Sequence, residues 1–340
     1  MNEIDLKKYV IRTDLITEIV NNKINIEGVK KEQRKIRNIE VEKVSINEEA
    51  SGIIGRKSGS YITITFSDVT DVNNRESVIK VLTREIKNLL TSLNIENNKE
   101  GLIIGLGNSK STPDSLGPKV INNIIVTKHL FDLEESEEIN VSSDYRSVAV
   151  LTPGVYAGTG METQAIINGI IKETTPDFLI VIDSLAASSI ERVNKTIQLT
   201  DTGIFPGSGV GNTRKELSYE TLGIPVIAIG VPTVVDAVTI VSDTIYYLMK
   251  KISYNIDNIN KETDEDNYIE DNDKMLDEKE KKDLLGVLGS LSEEETRDLI
   301  YEVLYPIGYN MMVTPKEIDF VIDKLALIIG KSINSSLHKI

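Results

Sequence analysis

Residues 101–120 read GLIIGLGNSKSTPDSLGPKV. A short apolar run ends at a glycine pair, a polar turn containing Pro113 follows, and an apolar stretch of helical period begins after it. That order is a buried strand, a tight turn and a helix. Three more runs have the length and β-branched content of buried strands: SVAVLTPGV (147–155), DFLIVIDSLAA (177–187) and IPVIAIGVPT (224–233). Segments of helical period lie between or after them, among them GPKVINNIIVTKHLF, TGMETQAIINGIIKETTP and TVVDAVTIVSDTIYYLMKKI. The alternation predicts a three-layer α/β/α fold with a mainly parallel sheet.

Outward from this frame, SYITITFSD alternates like a half-buried strand, and ESVIKVLTREIKNLLTSL reads as an amphipathic helix leading into GLIIGLG. The closing stretch TPKEIDFVIDKLALIIGKSINSSL predicts a helix with Thr314 as N-cap and Pro315 in its first turn. Two segments break the rhythm. Residues 188–223 are polar and glycine-rich and too long for a simple connection, which predicts a small β-rich excursion with strands of its own. Residues 251–298 are dominated by Asn, Asp, Glu and Lys, as in KETDEDNYIEDNDK, which predicts a mobile acidic insertion without a core of its own.

The 340 residues carry 38 basic and 53 acidic side chains, a formal charge of -15. Such a chain repels nucleic acid and anionic membranes. With no cysteine, disulfides, thiolate zinc sites, iron–sulfur clusters and a cysteine nucleophile are excluded. Only His129 and His338 could serve as imidazole bases or ligands, and no H-E-x-x-H spacing occurs. His129 falls in a helical pattern, and His338 is expected in a frayed terminus. The N-terminus lacks an apolar signal core, and no apolar run reaches the roughly 18 residues a spanning helix needs, so a cytosolic protein is expected.

In open α/β sheets ligands bind beyond the carboxyl ends of the strands. Asp114 follows the first run in its turn. Asp183 ends the third run and is followed by small residues, Ser184, Ala186 and Ala187. On adjacent strands the two would meet, and two carboxyls in one low-dielectric cleft are expected to have one pKa raised and one lowered, an acid and a base able to activate water. Aspartates after strands also serve as helix caps or turn residues. Other readings of the same residues are a metal-dependent peptidase with Asp114 and Asp183 as ligands, and a phosphorylase-like enzyme using the loop GSGVGN (207–212) for phosphate. Neither that loop nor Gly105–Asn108 completes a G-x-G-x-x-G or Walker pattern. Hydrolysis also needs an oxyanion site, for which backbone N–H groups in these glycine stretches are candidates.

The blocks GLGN and TPDSLGP, LTPGVYAGTGMET, PDFLIVIDSLAASSIERVNKTIQLTDTGIFPGSGVGN, RKELSYETLGIPVIAIGVPTVVDAVTI and MMVTPKEIDF span most of the chain. In these the sequence resembles the germination protease family of spore-forming bacteria. The resemblance implies a fold similar to hydrogenase maturation endopeptidases and an endopeptidase, made as a zymogen and found as a homotetramer, that degrades small acid-soluble spore proteins in the spore core. No cofactor and no metal ligand are assigned, and the resemblance carries the family's proposed catalytic pair onto Asp114 and Asp183. It also implies a propeptide, residues 1–14, cut between Asp14 and Leu15, ahead of a single domain, 15–340, that cleaves after acidic residues. The stretch TEIV (17–20) repeats the pattern of TDLI (13–16), making Glu18-Ile19 a second cleavage candidate. Arg192, Arg214 and Lys215 are candidates for holding the acidic side chain of a substrate.

Overall fold

The computed structural model describes residues 13–21, 26–135, 140–207, 214–259, 276–304 and 311–339. Nine strands among them form one sheet: β1 (Val29–Ile36), β2 (Ile39–Ile46), β3 (Gly59–Thr65), β4 (Gly101–Gly105), β5 (Val148–Leu151), β6 (Phe178–Ala187), β7 (Thr196–Thr200), β8 (Val226–Asp236) and β9 (Met312–Val313). Their order is β1-β2-β3-β7-β8-β6-β4-β5, with β9 on β8. The predicted parallel core is present: β4 runs parallel to both β5 and β6, with Gly101 opposite Val148 on one side and Phe178 on the other. An antiparallel arm, β1-β2-β3-β7, extends it.

The chain divides into two compact units. The larger comprises residues 12–187, 191–234 and 314–340, the smaller residues 1–11, 188–190 and 235–313. In the larger unit the period-two alternation of strand side chains creates two unlike faces. Ile62, Ile64, Ile103, Ile180, Ile182, Ile197, Leu199, Ile227 and Ile229 pack on one face with the helices Val72–Ser92 and Ile318–Leu337. Those two helices contact each other as well. Burying each such side chain is worth about 1.5–3 kcal/mol, so this face anchors the fold.

The second face has two separate covers. Over β4 and β6, Leu102, Ile104, Leu179 and Val181 pack with Ile167 of the helix Thr163–Thr174. Over β2 and β3, Val44, Ile46 and Tyr61 pack with Ile16 and Val20 of the short helix Ile16–Asn21 and with Ala50 and Ile54 of the helix Glu48–Ile54. Between the covers the same face presents Asp183 and Leu185 of β6, Ala228 and Gly230 of β8, and Gln198 and Thr200 of β7. Small and polar residues there leave a gap in an otherwise apolar layer.

Several local expectations change. β7 lies inside the main sheet between β3 and β8, because TIQLT is buried on both faces and pairs on both edges; the only pairing of the 188–223 segment with itself, among its described residues, is a single bridge between Ile204 and Leu217. Of the acidic stretch 251–298, residues 260–275 lie outside the described residues. The remainder is helical: Ala237–Ile259 runs into it, and Glu278–Leu285 and Glu293–Leu304 follow. The second of these starts with a capping box, Asp277 accepting from the Glu280 N–H while Glu280 accepts from that of Asp277. Thr314 caps nothing: its hydroxyl donates to the Thr233 carbonyl at 2.8 Å, and the final helix begins at Ile318. His338 is 3% exposed, its Nδ1 accepting the Arg146 N–H at 3.2 Å, so the terminus is docked rather than frayed.

Candidate active site

Strand β4 keeps pairing one residue past its end, Leu106 N–H donating to the Ile182 carbonyl at 2.8 Å. The chain then turns at Gly107, whose φ of 108° belongs to the region glycine favours. A Cβ there would stand 2.1 Å from the Asp114 carbonyl oxygen. The turn closes on itself: the Asn108 N–H donates to that carbonyl at 2.9 Å, and the Asp114 N–H donates to Ser111 at 2.9 Å. Thr233 of β8 fixes it from outside, its hydroxyl donating to the Pro113 carbonyl at 2.7 Å. The helix Leu116–Ile121 lies directly on the strand end, since a Cβ on Gly117 would come 2.2 Å from the Leu106 oxygen. Asp114 is therefore set by backbone packing on every side.

Asp183 projects from β6 one residue past the partner of Gly105 and is 5% exposed. Its Oδ1 accepts the Ser184 N–H at 2.9 Å, and the Gly207 N–H also supports its charged form. Burial pushes Asp183 well above the usual carboxylate range, and the charges of Asp114 and then Asp14 push it further. Burial lifts Asp114 from 3.8 to about 6, opposed only by the Asn108 N–H. The expectation of one raised and one lowered pKa is corrected: both rise, because burial is the largest influence on each. Both carboxyls are therefore easier to protonate than free aspartates, Asp183 being the more deeply buried of the two.

A third carboxylate was not anticipated here. Residues 13–16 lie along the open edge of the gap, the Asp14 N–H donating to the Ala186 carbonyl at 3.0 Å and the Ala186 N–H to Asp14 Oδ2 at 2.9 Å. Gln198 from β7 grips the same segment. Its Nε2 donates to the Asp14 carbonyl at 3.0 Å and its Oε1 accepts the Ile16 N–H at 2.7 Å. Arg56 donates to the Thr13 carbonyl at 2.7 Å. Leu15 is fully buried. Alongside runs a cavity of about 290 Å³ whose wall includes Asp14, Arg56, Lys57, Leu185, Gln198 and Gly230.

The three cations singled out in the sequence are placed elsewhere. Arg192 donates to the Thr65 hydroxyl at 3.0 Å, and Arg214 stands 3.7 Å from Glu162 and over the ring of Tyr156, whereas Lys215 is exposed and only its backbone N–H is tied, donating to Glu162 at 3.3 Å. None lines the cavity beside Asp14, whose cations are Arg56 and Lys57. Lys57 is paired with Glu216 and Glu220. The stretch IIGRKSG gave no signal for this, since neither its spacing nor its composition marks a site. Glu18 accepts a hydrogen bond from the Thr13 hydroxyl, and the Glu18-Ile19 bond lies within the helix Ile16–Asn21. Most of the GSGVGN loop, residues 208–212, lies outside the described residues. Among the described residues no group of three or more His, Asp or Glu side chains could hold a metal ion, and no helix is long and apolar enough to cross a membrane.

An α/β sheet with a buried carboxyl on β6 and a half-buried one in the turn after β4, both with raised pKa values, defines a protein with the equipment of an acid–base hydrolase. The family model for germination proteases matches residues 10–340. Similar proteins include the germination proteases of Priestia megaterium, 42% identical over 357 aligned positions, and of Bacillus velezensis, 46% identical over 356; each alignment covers 99% of this chain and 96% of the relative. That of a Geobacillus species is 43% identical. The chain belongs to the germination protease family and is a peptidase. Among solved structures, the [NiFe] hydrogenase maturation protease HycI of Thermococcus kodakarensis matches with 16% identity and a TM-score of 0.28, covering 44% of this chain and 80% of that one. So weak a likeness carries no argument about mechanism.

Proposed function

We propose that this peptidase of spore germination is an endopeptidase that cleaves small acid-soluble spore proteins after acidic residues, with water activated by Asp114 and Asp183. The observation that carries the reading is that the half-buried Asp114, in the turn after β4, acts by its charge on the buried Asp183 of β6, both pKa values being raised. At neutral pH Asp114 is the base and Asp183 holds a proton. Asp114 takes a proton from water as its oxygen adds to the scissile carbonyl carbon; Asp183 gives its proton to the leaving nitrogen as the C–N bond breaks. One water is consumed, and a carboxyl and an amine are released.

The protein is made as a zymogen with residues 1–14 as propeptide, and it works without a cofactor as a homotetramer in the spore core. The placement of Asp14 beside Asp183 supports activation at the Asp14-Leu15 bond, because an acidic residue of the chain itself already lies where a substrate's acidic residue would go. Leu15 and Ile16 are buried, so that bond is available to the site it lies in rather than to an outside protease. Glu18-Ile19 is the lesser bond, since a helix presents no extended main chain to cut. Incubation with a small acid-soluble spore protein, with cut sites mapped by mass spectrometry, tests the reading. Cuts that do not follow acidic residues, or no cuts, would overturn it.

A further inference from the structure

Nothing above supplies the donor that must receive the negative charge on the carbonyl oxygen as water adds to it. Proton transfer alone contributes about 10²–10⁴ in rate, too little for an amide. We infer that the carboxamide of Gln198 is the oxyanion donor of this peptidase. The inference rests on the proposed cleavage reading and deepens it.

The bond assigned for activation shows the geometry directly. The oxygen of its scissile carbonyl is Asp14 O, and the side-chain donor on it is Gln198 Nε2, at 3.0 Å. That distance is to the ground-state carbonyl, and transition-state stabilisation requires the contact to be kept at about 2.7–3.1 Å as this oxygen becomes an oxyanion. The amide is held with its NH₂ end toward that oxygen by a second contact. The Ile16 N–H can only donate, so at 2.7 Å it selects Oε1, and Nε2 is turned to the carbonyl. One side chain thus reads the main chain on both sides of Leu15 without touching a substrate side chain. That suits a peptidase whose substrates share an acidic residue and little else at the bond.

The setting strengthens such a donor. Gln198 is 7% exposed, on a β7 strand paired on both edges, so it keeps its orientation without solvent. In a dry site a fixed dipole acts at low effective dielectric and needs no reorganisation during the reaction. As charge grows on the carbonyl oxygen the neutral hydrogen bond becomes charge-assisted and roughly doubles in strength. Of the glycine stretches singled out in the sequence, Gly107 serves the Asp114 turn and the Gly207 N–H supports Asp183, and residues 208–212 lie outside the described residues.

The step is the one described above with its charge located. Water oxygen bonds to the Asp14 carbonyl carbon, its proton goes to Asp114, and the carbonyl electron pair moves to the oxygen facing Gln198. When the oxygen re-forms its double bond, the Leu15 nitrogen leaves with the proton of Asp183.

The test uses the full-length protein with two variants and two readouts: self-cleavage at Asp14-Leu15, followed by intact mass, and turnover of a small acid-soluble spore protein by the activated enzyme. Gln198→Ala is expected to lower kcat about 10²–10³-fold, with KM changing less than kcat, because the two hydrogen bonds lost from the bound ground state are neutral, whereas the one to the carbonyl oxygen becomes charge-assisted in the transition state. Gln198→Glu keeps the acceptor for Ile16 but sets an oxygen against the carbonyl. Its rate relative to wild type is expected to climb as pH falls and the new carboxyl becomes a donor, a trend that a merely structural role would not produce. Unchanged kcat in both variants, or a Gln198→Glu to wild-type ratio flat with pH, overturns the assignment. Activity surviving in Asp114→Asn or Asp183→Asn overturns the acid-pair reading instead, so the two failures are separable. If wild type does not cut the spore protein, self-cleavage still reads Gln198; if neither bond is cut, both ideas fall.

Discussion

Replacing one of the two carboxyls proposed to activate water is expected to make this protein more stable. In Asp114→Asn the shape of the side chain is kept and its charge removed. Asp114 titrates at about 6 in the fold against 3.8 ordinarily, which at 1.36 kcal/mol per unit amounts to about 3 kcal/mol. Part of the side chain still meets solvent, which reduces the figure to about 1.5–3 kcal/mol. The sign follows from the direction. A carboxyl whose folded pKa is raised contributes stability that is fully present below 3.8 and lost as pH rises through about 6. Wild type therefore forfeits this amount between pH 4 and pH 7.5, and the variant does not. The gain has a second source, because the Asp114 charge is one of those raising Asp183. For a chain of this size the difference at pH 7.5 is about 2–4 °C in Tm. The assay is thermal unfolding of both proteins at pH 4.5, 6 and 7.5, compared as a difference so that other titrating groups cancel. A variant less stable than wild type at pH 7.5, or a difference that does not grow with pH, would refute the reasoning.

Other consequences are as specific. Gly117→Ala places a methyl 2.2 Å from the Leu106 carbonyl; overpacking of about 1–3 kcal/mol is expected, with peptidase activity reduced further than stability because Asp114 shifts, as unfolding and turnover measured together would show. Leu15→Ala empties a fully buried place and is expected to lower stability by about 2–5 kcal/mol in the uncut chain, measurable by denaturant titration; after cleavage at Asp14-Leu15 a much smaller loss is expected. N-terminal sequencing of activated protein is expected to begin at Leu15. A start at Ile19 would move the site, and full activity with Met1 retained would end the zymogen idea.

What the sequence disclosed and what it hid divide along range. The strands of the parallel core are apolar on both faces, and such runs can be read from local composition, as GLIIG and FLIVI were. Asp114 and Asp183 were singled out by position alone, after the first run and at the end of the third; Asp114 does follow β4, whereas Asp183 lies within β6, which continues to Ala187. The antiparallel arm was mostly hidden. β1, VKKEQRKI, is an exposed edge strand carrying charges that blunt pairing with other chains, and a charged run looks like a loop. Gln198 and Arg56 were hidden because their importance lies in contacts to residues 13–16, 182 positions away for the Gln198 bond to Ile16. The direction of the Asp183 shift needed the structure too, since it depends on full burial and on a third carboxylate from the N-terminal segment. Arg192 and Arg214 looked free in sequence and are held by Thr65 and Glu162 in the fold.

The central claim is that Asp114 and Asp183 together cleave peptide bonds after acidic residues. The direct measurement is the cut-site map and rate for one small acid-soluble spore protein treated with wild type, Asp114→Asn and Asp183→Asn, each with and without a chelator, at matched folded concentration. The account predicts cuts after acidic residues by wild type, the same rate with chelator present, and loss of at least about 10²-fold in each variant. Near wild-type cleavage by either variant, or cleavage abolished by the chelator, would contradict it.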